Sequence, residues 1–181
     1  MALRGKDNAE KIWNFLIDEG FNDYGTAGKM GNLRPESNLE PTNLQNSCEK
    51  RLNYTDAEYT AAVDNGTYKN FVNDGAGYGL AQWTFPTRKA ALLEYAKSAG
   101  KSIGDLETQL RFMVKELKEN FRPVYMALKT VSSVKEASDL VLTKYEAPKD
   151  QSDAVKRKRA EYGQEYFNRF SGSGEKKGVP C

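Results

Sequence analysis

Three short segments hold the residue types that could do chemistry. Gly31-Asn-Leu-Arg-Pro-Glu36-Ser37-Asn-Leu-Glu-Pro41 places a glutamate at the end of a short helical stretch. The helices before it are apolar on one face, so Glu36 is expected at the rim of a core. Partial desolvation there favours the protonated form of a carboxyl group, which is the form a general acid must hold. Read locally, the same segment also fits an ordinary glutamate in a Pro-rich turn. Gly75-Ala-Gly77-Tyr78-Gly79-Leu-Ala-Gln82-Trp83-Thr84 combines glycines, an amide and two aromatic rings. Glycine lets a backbone approach a ligand closely, and aromatic faces can carry sugar rings. That set suits a carbohydrate groove, and equally a Gly-rich turn with two core aromatics. A phosphate-loop reading fails, because no Gly-Lys-Ser/Thr follows. Thr143-Lys-Tyr145-Glu146-Ala-Pro148 puts an aromatic and a carboxylate at a helix C-terminus. They could close the far side of a groove, or Tyr145 could simply belong to the core.

Composition narrows the chemistry. The 181 residues include no histidine. This removes Ser-His-Asp and Cys-His nucleophile pairs and zinc sites built on histidine. A hydrolase of this composition works with carboxylates, hydroxyls, amides or lysine, and glycoside hydrolysis is the commonest use of carboxylates alone. No cofactor and no metal is implied. The two cysteines are Cys48 and the final residue, Cys181, so no disulfide framework is expected. The net charge is +2. Lys156-Arg157-Lys158-Arg159 reads as a solvated helix face, and with no nucleic-acid-binding motif nearby no nucleic-acid partner is expected. Diffuse positive charge would suffice for an anionic cell wall. No apolar run approaches the roughly 20 residues of a membrane span. The start, Met1-Ala-Leu-Arg-Gly-Lys-Asp, lacks the apolar stretch of a signal peptide. The expectation is a fragment of a larger secreted protein, or a chain that leaves its cell by another route, such as assembly into a virus particle.

The elements that must position these residues read mostly as helices. Asp7 with Glu10, Thr55 with Glu58 and Ser133 with Glu136 have capping-box spacing. Ile12, Trp13, Leu16 and Ile17 form one apolar face, closed by Gly20. A second helix is expected from Asn22 or Asp23, carrying Tyr24, Ala27 and Met30, with Pro35 kinking or ending it. The helix capped by Thr55 should stop at Asp64-Asn65-Gly66. Residues 67 to 85 read as loop with a small β-hairpin. Leu92, Leu93 and Ala96 mark a helix ended by Gly100. Leu106, Leu110, Met113, Val114 and Leu117 mark the next at i, i+3, i+4 spacing. The Ser133 helix carries Ala137, Leu140, Val141 and Tyr145, stopped by Pro148. A last helix runs from about Ser152 to Phe170 with Val155, Tyr162, Tyr166 and Phe170 inward. The expected fold is mainly α, one domain over residues 1–170 with an irregular segment in its middle. Residues 171–181, Ser-Gly-Ser-Gly-Glu-Lys-Lys-Gly-Val-Pro-Cys, read as a flexible linker toward a second domain.

Taken together and in order, the three segments resemble the phage tail-tip lysozyme family, part of the lysozyme-like superfamily with goose-type lysozymes and lytic transglycosylases. The matching pattern is Gly-Asn-Leu-x-x-Glu-Ser-x-x-x-Pro, then Gly-Tyr-Gly-Leu-x-Gln-Trp-Thr, then an aromatic-Glu-x-Pro helix end, over roughly residues 8 to 170. The resemblance implies a lysozyme-like helical domain that cuts the β-1,4-linked glycan of bacterial peptidoglycan. It implies Glu36 as general acid. Gly79, Gln82 and Trp83 would line the cleft with Ser37, Tyr78 and Thr84, and Tyr145 would close it. It implies an extracellular or virion-associated place of action and a neighbouring domain; a monomer is expected. Goose-type enzymes carry an aspartate just after their Gly-Leu-x-Gln segment, where this chain has Thr84. The second catalytic group is thus left open among Asp64, Asp74 and Glu49, with none needed if the sugar's own 6-hydroxyl attacks, as in a lytic transglycosylase. A wall-binding module without catalysis is the alternative from another class, and a structural virion protein is a third.

Overall fold

A computed structural model describes residues 2–172 of the chain. The linker expected over residues 171–181 lies almost wholly outside these residues. The described chain is mainly helical, as expected. In order it forms α1 (Asn8–Asp18), α2 (Asp23–Ser37), α3 (Asn46–Leu52), α4 (Asp56–Asp64), α5 (Pro86–Ser98), α6 (Leu106–Asn120), α7 (Arg122–Ala127) and α8 (Val134–Val141). A π-helical turn (Leu142–Glu146) and α9 (Asp153–Phe170) complete it. Two compact units emerge: Met1–Pro35 with Leu117–Cys181, and Glu36–Glu116.

Local chemistry sets most helix ends. Asp7, Thr55, Ser133 and Ser152 each accept a hydrogen bond from a backbone N–H in the first turn of the following helix, satisfying donors that the helix leaves open. At Thr55 the Glu58 side chain closes the reciprocal half of the box. Helices α3 and α7 carry no comparable sequence signal: neither has a side-chain cap. The expected hairpin between residues 67 and 85 shrinks to isolated bridges, Leu44 with Tyr78 and Tyr78 with Trp83. Pro35 lies inside α2, which continues to Ser37. A proline near the C-terminus of a helix removes one donor but leaves the rest of the ladder intact. The Ser133 helix passes into the π turn at Leu142, and Ala147 ends it in the left-handed region (φ 42°).

In the first unit, α2 is built for close approach. Gly25, Gly28 and Gly31 recur every third residue. A methyl group on them would overlap the Leu128 carbonyl, Ala137 and the backbone of Arg159 and Gly163 respectively. The neighbouring Asn32 is buried and bonded through both ends of its amide. Asn32 donates to the carbonyls of Gly28 and Ser138 and to Ser138 Oγ, and accepts from the buried Arg159 guanidinium. Trp13 packs on Phe170 at 5.5 Å between ring centres. The last helix buries Tyr166 and Phe170 as expected, whereas Val155 and Tyr162 are half-buried and Arg159 and Gly163 lie inside.

In the second unit, α3, α4, α5 and most of α6 surround the irregular segment. Tyr59, Phe71 and Tyr78 pack as a ring cluster with centroid distances of 5.4 to 6.0 Å. Trp83 packs edge-on against Phe112 at 5.4 Å.

Candidate active site

Glu36 occupies the last turn of α2 and is half-buried. The chain leaves the helix through two successive non-glycine residues in the left-handed region, Asn38 (φ 51°) and Leu39 (φ 63°). Such conformations cost about 1–3 kcal/mol each and collect at functional sites. Ser37, the next residue, is buried and donates from Oγ to the Leu80 carbonyl at 2.8 Å. This bond ties the helix end that carries Glu36 to the turn between Tyr78 and Trp83. Asn43 adds a second tie. Its side chain approaches the Glu36 carbonyl at 3.5 Å, and its own carbonyl accepts from Gly79 N and from Gln82 Nε2.

The turn itself is closed by paired backbone bonds between Tyr78 and Trp83, at 3.1 and 3.0 Å. Gly79 has φ 80° and Gln82 has φ 49°. A side chain on Gly79 would also strike the Gln109 carboxamide, 2.7 Å from the added carbon. Gln82 is half-buried, and both hydrogens of its amide are directed at backbone carbonyls, Asn43 and Gly79. Thr84 is half-buried and donates to the Gln82 carbonyl at 2.8 Å. Glu36, Ser37, Gly79, Gln82 and Thr84 are therefore brought together within one unit.

Tyr78 and Trp83 are not placed as expected. Both are fully buried, so neither offers a flat face to a ligand. The Tyr78 hydroxyl pairs with Thr60 Oγ1 at 2.6 Å, and burial pushes its phenol pKa upward. Trp83 Nε1 donates to Glu116 at 3.2 Å, and Arg88 holds the same carboxylate through two bonds. Their polar tips have internal partners, which is the reason they pack inward. Tyr145 belongs to the other unit and is also buried. Its ring carries the Lys29 ammonium 3.7 Å from its centre, and Lys29 pairs with Glu146 at 3.0 Å with both side chains buried. Phe121 meets its edge at 5.0 Å.

The candidate second carboxylates have other work. Asp74 is buried and accepts from Lys89 Nζ (2.7 Å), Tyr59 (2.6 Å), Tyr68 (3.0 Å) and the backbone of Ala76 (2.9 Å). Burial, then the Asp74 bond, pushes Tyr68 up to about 12 and Tyr59 further in the same direction. Burial pulls Lys89 down, with Asp74 acting against it. A carboxylate with four internal donors is a fixture of the scaffold. Asp64 is exposed at the end of α4 and accepts from Ser102 Oγ and from Ile103 N at 2.9 Å. Glu49 lies half-buried in the first turn of α3.

One residue was missed by sequence reasoning. Gln109 on α6 is fully buried; its Oε1 accepts from Leu80 N at 2.9 Å, and its Nε2 donates to the carbonyls of Pro41 and Ile103 at 2.6 and 2.7 Å. It thus joins the segment after Glu36 to the Gly79-Leu80 turn. The only available signal was a glutamine beside Leu110 in an apolar helix face.

The family model described as phage tail lysozyme matches residues 7–170. The chain belongs to the phage tail lysozyme family. The family is named for lysozyme activity. The chain is also 25% identical over 174 residues to "Morphogenesis protein 1" of Bacillus phage B103, covering 92% of this chain and 40% of that protein. Among the described residues no helix is long and apolar enough to cross a membrane, and no group of acidic or cysteine side chains is arranged to hold a metal ion.

Proposed function

We propose that this member of the family cleaves the β-1,4 glycan of bacterial peptidoglycan as a glycosidase, with Glu36 as the general acid that protonates the glycosidic oxygen. The observation that supports this most is the Ser37–Leu80 hydrogen bond. It joins the helix end bearing Glu36 to a turn with polar side chains, Gln82 and Thr84. A carboxylic acid beside fixed hydrogen-bonding groups is what leaving-group protonation requires. Glu36 and the sugar-facing edge of Gly79, Gln82 and Thr84 contact substrate. Ser37, Tyr78 and Trp83 hold the framework from within.

A second reading concerns the attacking group. Asp74 is committed to four internal donors, which favours a route with no second carboxylate. In that route the sugar's own 6-hydroxyl attacks and leaves an anhydro end. The two routes differ in product mass by one water. Fragments released from purified peptidoglycan by wild type and Glu36→Gln test both points. Hydrolysis yields reducing ends, and transglycosylation yields anhydro ends. Loss of both in Glu36→Gln with an unchanged circular dichroism spectrum is the expected result. A Glu36→Gln chain that clears walls at the wild-type rate would remove Glu36 as the acid, and a wild type that binds walls without clearing them would leave a binding module as the better reading.

A further inference from the structure

The segment that was expected to present aromatic faces presents a different one. Tyr78 and Trp83 are buried, but Phe85, directly after Thr84, is 70% exposed. Its backbone is fixed. Phe85 is the N-cap of α5 at φ −63°, ψ 137°, and Pro86 follows at the first helical position. A residue before proline is held in the extended region. Two local preferences are given up here. Helix N-caps favour Ser, Thr, Asp or Asn, yet this cap makes no side-chain hydrogen bond. A phenylalanine gains stability by burial, yet this ring stays in water. Both departures fall on the residue next to Gln82-Trp83-Thr84, in the same unit as Glu36.

We infer that Phe85 is a substrate-contacting residue, whose ring stacks on the apolar C–H face of a pyranose in the glycan. This rests on the glycan-cleaving reading above. A phenyl ring has no hydroxyl to direct at a partner, so it reads shape and C–H surface, while Gln82 and Thr84 supply the polar contacts. A flat ring on a rigid backbone loses little freedom when a sugar covers it.

The test uses the full chain with soluble β-1,4-linked N-acetylglucosamine oligomers and with purified peptidoglycan. Trp13 and Trp83 are both buried, so Phe85→Trp in a Glu36→Gln background adds an indole open to iodide without consuming the ligand. Saturating oligomer should shield that indole from iodide. Phe85→Ala and Phe85→Leu should each weaken oligomer binding by about threefold to tenfold and raise KM on peptidoglycan with little change in kcat. Phe85→Ser should raise the melting temperature, because it supplies a cap, while weakening binding like Phe85→Ala. These opposite signs separate contact with substrate from a structural role. If the Glu36→Gln chain binds oligomer and the Phe85 variants bind it equally well with iodide quenching unchanged, this inference is overturned and the glycan reading stands. If wild type neither binds glycan nor cuts it, the glycan reading itself falls.

Discussion

Ser37 Oγ donates to the carbonyl of Leu80 at 2.8 Å across 43 positions of sequence, with the bond buried. The residue beside the candidate acid thus reports directly on the turn that would hold substrate. Ser37→Ala removes the donor and leaves that carbonyl without it. The expected cost is about 1 kcal/mol in stability. Lytic rate should fall by more than the folded fraction does, because the two parts of the site lose register. Urea denaturation beside initial lysis rates checks this; equal losses would reduce the bond to a purely structural one.

Gly66 and Gly79 allow a controlled comparison. Both are in the left-handed region, at φ 79° and 80°. Open space surrounds a methyl group on Gly66, whereas one on Gly79 meets the Gln109 carboxamide. Gly66→Ala should cost about 1–2 kcal/mol from backbone strain alone. Gly79→Ala should cost that and a further ~1–3 kcal/mol for disturbing the bonds of Gln109. Denaturant midpoints of the two variants measure the difference, and equal midpoints would mean that Gln109 yields freely.

Asp74→Asn separates scaffold from catalysis. It leaves the buried Lys89 ammonium without its countercharge, at an expected cost of about 3–5 kcal/mol. Activity per folded molecule should be retained. Glu36→Gln should show the converse, full stability with activity lost. A stable, inactive Asp74→Asn chain would restore Asp74 as a catalytic candidate.

Tyrosines 59, 68 and 78 each hold their protons more tightly in the folded state than the ordinary value near 10. As pH climbs past about 10 the unfolded chain releases these protons first, so stability is lost with rising pH and is fully present below that range. For Tyr68 the loss extends to about 12. Tyr68→Phe should therefore show a shallower alkaline decline than wild type. Denaturant midpoints between pH ~8 and ~11 read the difference in slope.

What the sequence disclosed follows the range of the interactions. The caps at Asp7, Thr55, Ser133 and Ser152 lie within three residues of their partners, so composition and spacing sufficed. The family was legible because three segments carry its pattern in order. Which rings face outward was not legible. Tyr78 turns inward because Thr60 waits for its hydroxyl 18 positions away, and Trp83 because Glu116 waits 33 positions away. Nothing local distinguishes those rings from Phe85. Gln109 was hidden for the same reason, its three partners lying at Pro41, Leu80 and Ile103. Asp74 looked like a free carboxylate until Tyr59, Tyr68 and Lys89 closed on it.

The glycine steps of α2 give the protein a timetable. With Gly25, Gly28, Gly31 and Pro35, the segment is a poor helix former by itself, each glycine costing about 1 kcal/mol and proline more. Its shape depends on surfaces around Leu128, Ala137, Arg159 and Gly163, which leave the ribosome about a hundred residues later. A nascent chain that already contains all of α2 still lacks the walls that mould it. The surfaces that shape α2 follow it by about a hundred residues, so a chain truncated before Leu128 is expected to lack an ordered α2.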